Sequence, residues 1–511
     1  MNTKIYSATT IGVNAHLVEV EVDLSFGLIA FFIVGLPDTA IRESKFRIIT
    51  ALKNCGVSLP EKKIVVNLAP ADLKKEGTLF DLPIAIGILQ TSKHLDIEPN
   101  FLRETLFIGE LSLNGEIKSI KGALAIAYDA KKFNKKRIIL PKQNAQEAAL
   151  IEDIEIIGVE NLTELIAYLR DELEIKPTVQ SLSDLHNAAI TNCVDFSQVK
   201  GQEQAKRALQ ISAAGNHNIL FIGSPGSGKT MLAKRLPTIM PKMSFDEVIQ
   251  TSKVYSISGK LLNKSLIFER PFRDPHHTIS QAGLIGGGSY PQPGEVSLAH
   301  HGILFLDELT EFKRATLEVL RQPLENKNVC IARAQQSIEF PADFLLIAAL
   351  NPCPCGYYGD KKKACICHSA QISKYLEKLS GPLLDRIDIQ IHIQSIDYDT
   401  IHDKKSNNVS SQDLYASILC AVEIQKTRFN GAKFNSAMST DEIDKHCQLT
   451  EQAQSIIKRA FEKLNLSMRG YHKILKVART IADLNGIENI DTAHIQEAIM
   501  YRSLDKNLEN L

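Results

Sequence analysis

Three kinds of hydrophobic pattern follow one another along the chain. Residues 1–175 alternate short apolar runs with helical periodicity. GLIAFFIVGL, KKIVVNLAP and RIILP predict strands. DTAIRESKFRIITALKNCG predicts a helix closed by Gly56, DLPIAIGILQTS a second and more apolar helix, and LTELIAYLRDEL a closing one. The unit is therefore expected to be mixed α+β.

Residues 176–194 lose this periodicity and read as a linker. From 195 to 394 the pattern is α/β, with NILFIG, GILFLDEL and FLLIAAL apolar throughout. Runs of that kind suit strands buried on both faces of a parallel sheet. Residues 395–511 read mostly as amphipathic helices and predict a small C-terminal helical domain.

Composition narrows the class. The chain has 511 residues, enough for several domains, and its 59 Lys+Arg balance 59 Asp+Glu. That balance opposes a uniformly basic nucleic-acid binder and leaves room for a local basic stripe. The first residues lack the apolar stretch of a signal peptide, and no run of about 18 apolar residues is present. A cytoplasmic protein without a membrane span is expected. There, clustered cysteines point to metal rather than to disulfides.

NILFIGSPGSGKTMLAKRL sets a strand, a glycine-rich turn and a helix in series. Gly223, Ser224, Pro225, Gly226, Ser227, Gly228, Lys229 and Thr230 form the P-loop pattern in its required context. Such a loop turns backbone N–H groups toward phosphates, Lys229 would reach the β- and γ-phosphates of ATP, and Thr230 would ligate Mg²⁺. HHGILFLDEL delivers Asp307 and Glu308 at a strand end, one to hold Mg²⁺ and the other to orient the attacking water. FLLIAALNP ends at Asn351, whose amide would position that water; the alternative is a strand-ending turn before Pro352.

These motifs, in this order and spacing, resemble an AAA+ ATPase. DFSQVKGQEQAKRAL resembles the segment that opens such modules, and RPFRDPHHTISQAGLIGGGSYPQPGEVSLAHHGILFLDE resembles the magnesium-chelatase-like branch. Across essentially its whole length the sequence resembles the ComM/YifB family, linked to branch migration in natural transformation. The resemblance implies an ATP hydrolase with helicase or branch-migration activity. It implies a homo-oligomer, a hexameric ring, acting on single-stranded or branched DNA. It assigns Arg386, in GPLLDRIDI, as an arginine finger acting on a neighbour's nucleotide, against an internal pairing with Asp385 or Asp388. It assigns Arg469 as the sensor-2 arginine, with Arg479 as a second candidate. NKNVCIARAQQSIEFPADF resembles a pore hairpin carrying Lys327 and Arg333, and GLIGGGSYPQPGE resembles a second pore loop with Tyr290; a surface hairpin and a flexible loop are the plain alternatives. The N-terminal unit resembles the Lon-protease (ribosomal S5 domain 2-like) fold. Asp81 or Leu82 stands where the nucleophilic serine is expected, and Lys121 lies near the Lon lysine, so a non-proteolytic domain is implied.

Cys353, Cys355, Cys365 and Cys367 form two Cys-x-Cys pairs separated by GYYGDKKKA, which has two glycines for a return. Four thiolates suffice for one tetrahedral structural Zn²⁺, with His368 as a possible substitute ligand; unliganded or redox cysteines are the alternative. Lys361, Lys362 and Lys363 would sit at the tip, as a solvated run or against a phosphate backbone. Two other functions compete with a DNA motor: a magnesium-chelatase motor subunit, and a MoxR-like ATPase that remodels protein partners.

Overall fold

The computed structural model describes residues 2–59, 61–75, 77–179, 194–261, 266–288, 291–332, 337–360, 362–395, 409–431, 433–463 and 466–502. The chain folds as two compact units, residues 1–189 with 248–267, and residues 190–247 with 268–511.

The first unit is built on a seven-stranded mixed sheet. Asn2–Ile11 and Asn14–Ser25 pair antiparallel across a tight turn at Gly12, and Lys63–Ala69 extends them antiparallel. Ala30–Val34 forms one edge, parallel to Lys63–Ala69. On the other side Thr105–Phe107, Arg137–Pro141 and Glu155–Val159 add in parallel. Lys63–Ala69 alternates buried Ile64, Val66 and Leu68 with half-buried neighbours, as a strand covered on one face must. The helix Thr39–Asn54 starts where the Asp38 carboxylate accepts from Ile41 N at 2.8 Å, and stops at Gly56, whose φ of 77° a side chain would resist. The apolar helix Asp81–Thr91 lies on the sheet at Gly87, where a Cβ would come within 2.5 Å of Val22. Asp81 is 1 % exposed and held by Arg47 at 2.7 and 3.0 Å and by Leu111 N at 3.2 Å. Asp81 and Leu82, the two residues read at the position of a Lon-type serine, are both buried, Asp81 within this polar network. Lys121 is exposed.

The second unit carries a five-stranded parallel sheet in the order Phe272–Arg273, Ile303–Leu306, Leu345–Leu350, Ile219–Gly223, Ile389–Ile393. The three central strands are buried at every position. Because all strands run the same way, their C-terminal ends share one edge, where open α/β sheets bind ligands. An antiparallel hairpin, Asn328–Ala332 with Ser337–Pro341, precedes the Leu345–Leu350 strand. The C-terminal helices include Ser411–Phe429, Glu451–Lys463, Met468–Leu484 and Thr492–Met500. Their buried residues Ile418, Ile474, Ile481 and Ile495 join Ile219, Phe221 and Ile389 in one hydrophobic core. Described helices of the region expected to form the C-terminal helical domain, 395–511, thus share a core with the sheet. The expected linker, 176–194, falls largely outside the described residues.

Candidate nucleotide site and cysteine cluster

Strand order brings the three motifs together. The Ile219–Gly223 strand lies beside Leu345–Leu350, with Ile222 opposite Leu350, and the acidic strand lies beyond, with Leu306 opposite Ala348. After Gly223 the loop turns at Gly226 and Gly228, with φ of 78° and 93°, and enters a short helix, Lys229–Ala233. Gly223 has its own steric reason: a Cβ there would lie 2.5 Å from Ile393 O and 2.9 Å from Ser227 Oγ.

Lys229 is buried, and its ammonium donates to Gly223 O at 2.7 Å, Ser224 O at 3.0 Å and Asn351 Oδ1 at 3.2 Å. Burial lowers its pKa, while Asp307 and Glu308 oppose that shift. Thr230 donates its hydroxyl to Asp307 Oδ2 at 2.7 Å, so the two residues suited to Mg²⁺ already face each other. Glu308 follows with φ of 50°, a left-handed backbone that few non-glycine residues adopt, and its side chain is 55 % exposed. Its Oε2 lies 3.3 Å from His277 Nδ1. Gln202 also reaches the loop, donating to Ser227 O at 3.4 Å and to Gln394 O at 2.7 Å. In the sequence His277 and Gln202 fall inside longer resembling segments. Spacing assigns neither a role, because each meets the site through tertiary contact.

The arginines separate. Arg386 keeps 10 % side-chain exposure, and its Nη groups bond Glu325 and Pro382 O, while its Nε finds no partner among the described residues. The internal pairing weighed for it with Asp385 or Asp388 goes instead to Glu325. Asp388 belongs to Lys473 at 2.8 Å and to His217 at 3.7 Å, and Lys473 chiefly offsets the burial that would raise its pKa. Arg469 is exposed in the first turn of Met468–Leu484. Arg479, the second sensor candidate, is 2 % exposed, pairs with Asp483 at 3.0 Å and donates to the carbonyls of Ile487 and Glu488. That engagement makes it a strut of the helical bundle. Lys327 stands at the base of the hairpin rather than near its tip, and pairs with Asp343 at 2.9 Å. Arg333 and Tyr290 lie outside the described residues.

The four cysteines converge, with their sulfur atoms within 4.8 Å of one another. Cys353 lies 3.3 Å from Cys355 and 3.6 Å from Cys365, and Cys355 lies 3.5 Å from Cys365. Zn–S bonds of about 2.3 Å would place tetrahedral sulfurs about 3.8 Å apart, so the set fits one Zn²⁺ after a small expansion. Gly356 and Gly359, with φ of 84° and 76°, turn the intervening chain. His368 is the N-cap of the helix Ser369–Leu376, its backbone N–H donating to Gln371 Oε1 at 3.1 Å, and the converging set consists of the four cysteines.

The fold and this site define an AAA+ P-loop ATPase of the magnesium-chelatase type. Three family models match the chain: "Magnesium chelatase, subunit ChlI" over residues 195–401, "Subunit ChlI of Mg-chelatase" over 20–144, and "Magnesium chelatase, subunit ChlI C-terminal" over 408–502. The "Competence protein ComM" of Haemophilus influenzae is 42 % identical over 509 residues, covering 99 % of this chain and 98 % of its own. The "Uncharacterized protein YifB" of Escherichia coli is 39 % identical over 510 residues, with 99 % and 98 % covered. A Mycobacterium tuberculosis relative, "Uncharacterized protein Rv2897c", is 34 % identical over 501 residues, with 98 % of each chain covered. The chain belongs to the ComM/YifB family of magnesium-chelatase-like AAA+ ATPases. No described helix is long and apolar enough to cross a membrane.

Proposed function

We propose that this protein is an ATP-driven DNA motor, a homohexameric ring that promotes branch migration during homologous recombination of incoming DNA in natural transformation. The observation that carries the reading is the joint geometry of Lys229, Thr230, Asp307 and Asn351 at one sheet edge, within 3.2 Å of their partners. The likeness along the full chain to a relative named as a competence protein supplies the biological setting.

In this reading Gly223 through Thr230 cradle the phosphates of ATP. Lys229 leaves its carbonyl partners for the β- and γ-phosphates. Thr230 and Asp307 would hold Mg²⁺, which when bound would supply neutralisation of phosphate charge. Glu308 orients and polarises the attacking water, with Asn351 beside it. Arg386 serves the neighbouring subunit's nucleotide, and Arg469 senses it from the helical region. Cys353, Cys355, Cys365 and Cys367 hold a structural Zn²⁺. Arg333, Lys327 and Tyr290 are the DNA contacts, and the N-terminal unit is non-proteolytic and guides assembly or DNA.

A second reading, a motor that drives metal insertion into a tetrapyrrole, is favoured by the three magnesium-chelatase matches. One experiment separates them: ATP hydrolysis with and without single-stranded DNA and synthetic four-way junctions, scored together with strand exchange. DNA-stimulated hydrolysis and exchange, both lost in Lys229→Ala, are expected. Hydrolysis indifferent to DNA but coupled to porphyrin metallation would select the second reading, and absence of Mg²⁺-dependent adenine-nucleotide binding would remove both.

A further inference from the structure

The segment that carries the cysteines touches the nucleotide site at two separate points. At one end, Gly356 packs so closely on Pro225 of the P-loop that a Cβ would fall 2.6 Å from the Pro225 ring. Ser224 is among the groups that lower the pKa of the Asp360 carboxylate in the same return. At the other end, fully buried Cys353 packs with Ile372, Tyr375 and Leu376, and the other three cysteines pack against that group. Tyr375 then reaches out of the cluster: the Thr310 hydroxyl, 1 % exposed, donates to its Oη. Lys378, two residues after the helix containing Tyr375, donates to Thr310 O at 3.1 Å. Thr310 sits in the Leu309–Glu311 turn that begins at Glu308 and closes by Glu311 N to Glu308 O at 2.7 Å.

Thr310 is therefore gripped at both its hydroxyl and its carbonyl, one turn beyond a glutamate held in left-handed backbone. Such a conformation persists only where neighbours over-determine it. The cluster supplying the grip has a core of only four residues, Cys353, Ile372, Tyr375 and Leu376. So small an apolar group does not hold its shape unaided, and cysteine-rich modules of this size rely on a metal.

We infer that Tyr375, held by the metal-binding cysteine module, is a positioning residue for Glu308, acting through Thr310. The inference rests on the ATPase reading and adds the route by which the metal serves the chemistry. It makes the cysteine module part of the catalytic frame, distinct from a DNA-facing ornament.

The test uses the full chain and the paired variants Tyr375→Phe and Thr310→Val, each of which removes one hydroxyl and keeps the volume. The readouts are steady-state ATP hydrolysis with Mg²⁺, affinity for a fluorescent ATP analogue, and bound zinc by mass spectrometry. Each variant should lose kcat by about five- to tenfold, the worth of one hydrogen bond, with nucleotide affinity and zinc content unchanged. The double variant should lose no more than either single one, because both report the same contact. A kcat within twofold of the parent in both single variants overturns the inference, as do losses that multiply in the double variant. Loss of zinc or of nucleotide affinity alongside kcat also overturns it, because the effect would then be collapse of the site. If the parent chain itself hydrolyses no ATP, the ATPase reading falls and takes this inference with it.

Discussion

Lys229 shows how the P-loop is held before phosphate arrives. Its ammonium is satisfied by two loop carbonyls and the Asn351 amide, which keeps a buried cation tolerable and keeps the loop open around it. Phosphate oxygens offer the same donors a stronger, charge-assisted partner. Asp81 is the opposite case, a buried carboxyl whose burial outweighs its arginine and pushes its pKa up to about 6. The folded chain therefore holds this proton where the unfolded chain, near pH 4, has already released it. Its contribution to stability is complete at acid pH and is lost as pH rises through about 6. Thermal unfolding followed from about pH 4 to about pH 6 should show a destabilising slope from this group, and Asp81→Asn should flatten it. An unchanged slope in that variant would assign the dependence to other groups.

At the scale of elements, periodicity foretold the apolar strands and long helices but missed the two long N-terminal strands, Asn2–Ile11 and Asn14–Ser25, and did not say how the elements are used. The Gly56 close of the first long helix and the apolar strands of the parallel sheet were legible because they depend on local sequence. The P-loop helix came out shorter than its sequence suggests, ending at Ala233. The cysteine return was legible as a metal motif, yet its seating on Pro225 and Thr310 was not, because those partners lie more than sixty residues away in sequence, at separations of 131 and 65. Cys365→Ser with Cys367→Ser should abolish bound zinc and lower the melting temperature. Zinc retained by that variant, or none found in the parent, would end the metal assignment.

At the scale of the whole molecule, Arg386 poses the assembly question. Within one chain it bonds Glu325 and Pro382 O, and its buried Nε has no partner among the described residues. If it serves a neighbour, Arg386→Ala should bind nucleotide normally yet hydrolyse at least about a hundredfold more slowly, as loss of a transition-state cation does. Mixing that variant with Lys229→Ala should restore part of the activity, since a chain with an intact arginine can complete a neighbour with an intact P-loop. No recovery on mixing would confine Arg386 to its own chain.

The sequence by itself determined the chemistry available: a glycine turn that only glycines can make, a lysine and threonine at its end, acids and an amide closing apolar strands, and four thiols in two pairs. These are short-range facts, written in residue type and spacing. Tertiary structure alone decided which of them meet. Parallel strand order set Asn351 against Lys229 and Asp307 against Thr230, and it turned Glu308 toward His277. It also put Arg479 inside the helical bundle with Asp483 and Lys327 at the foot of its hairpin with Asp343. Such pairings depend on how distant segments stack to bury apolar surface, which no local pattern specifies.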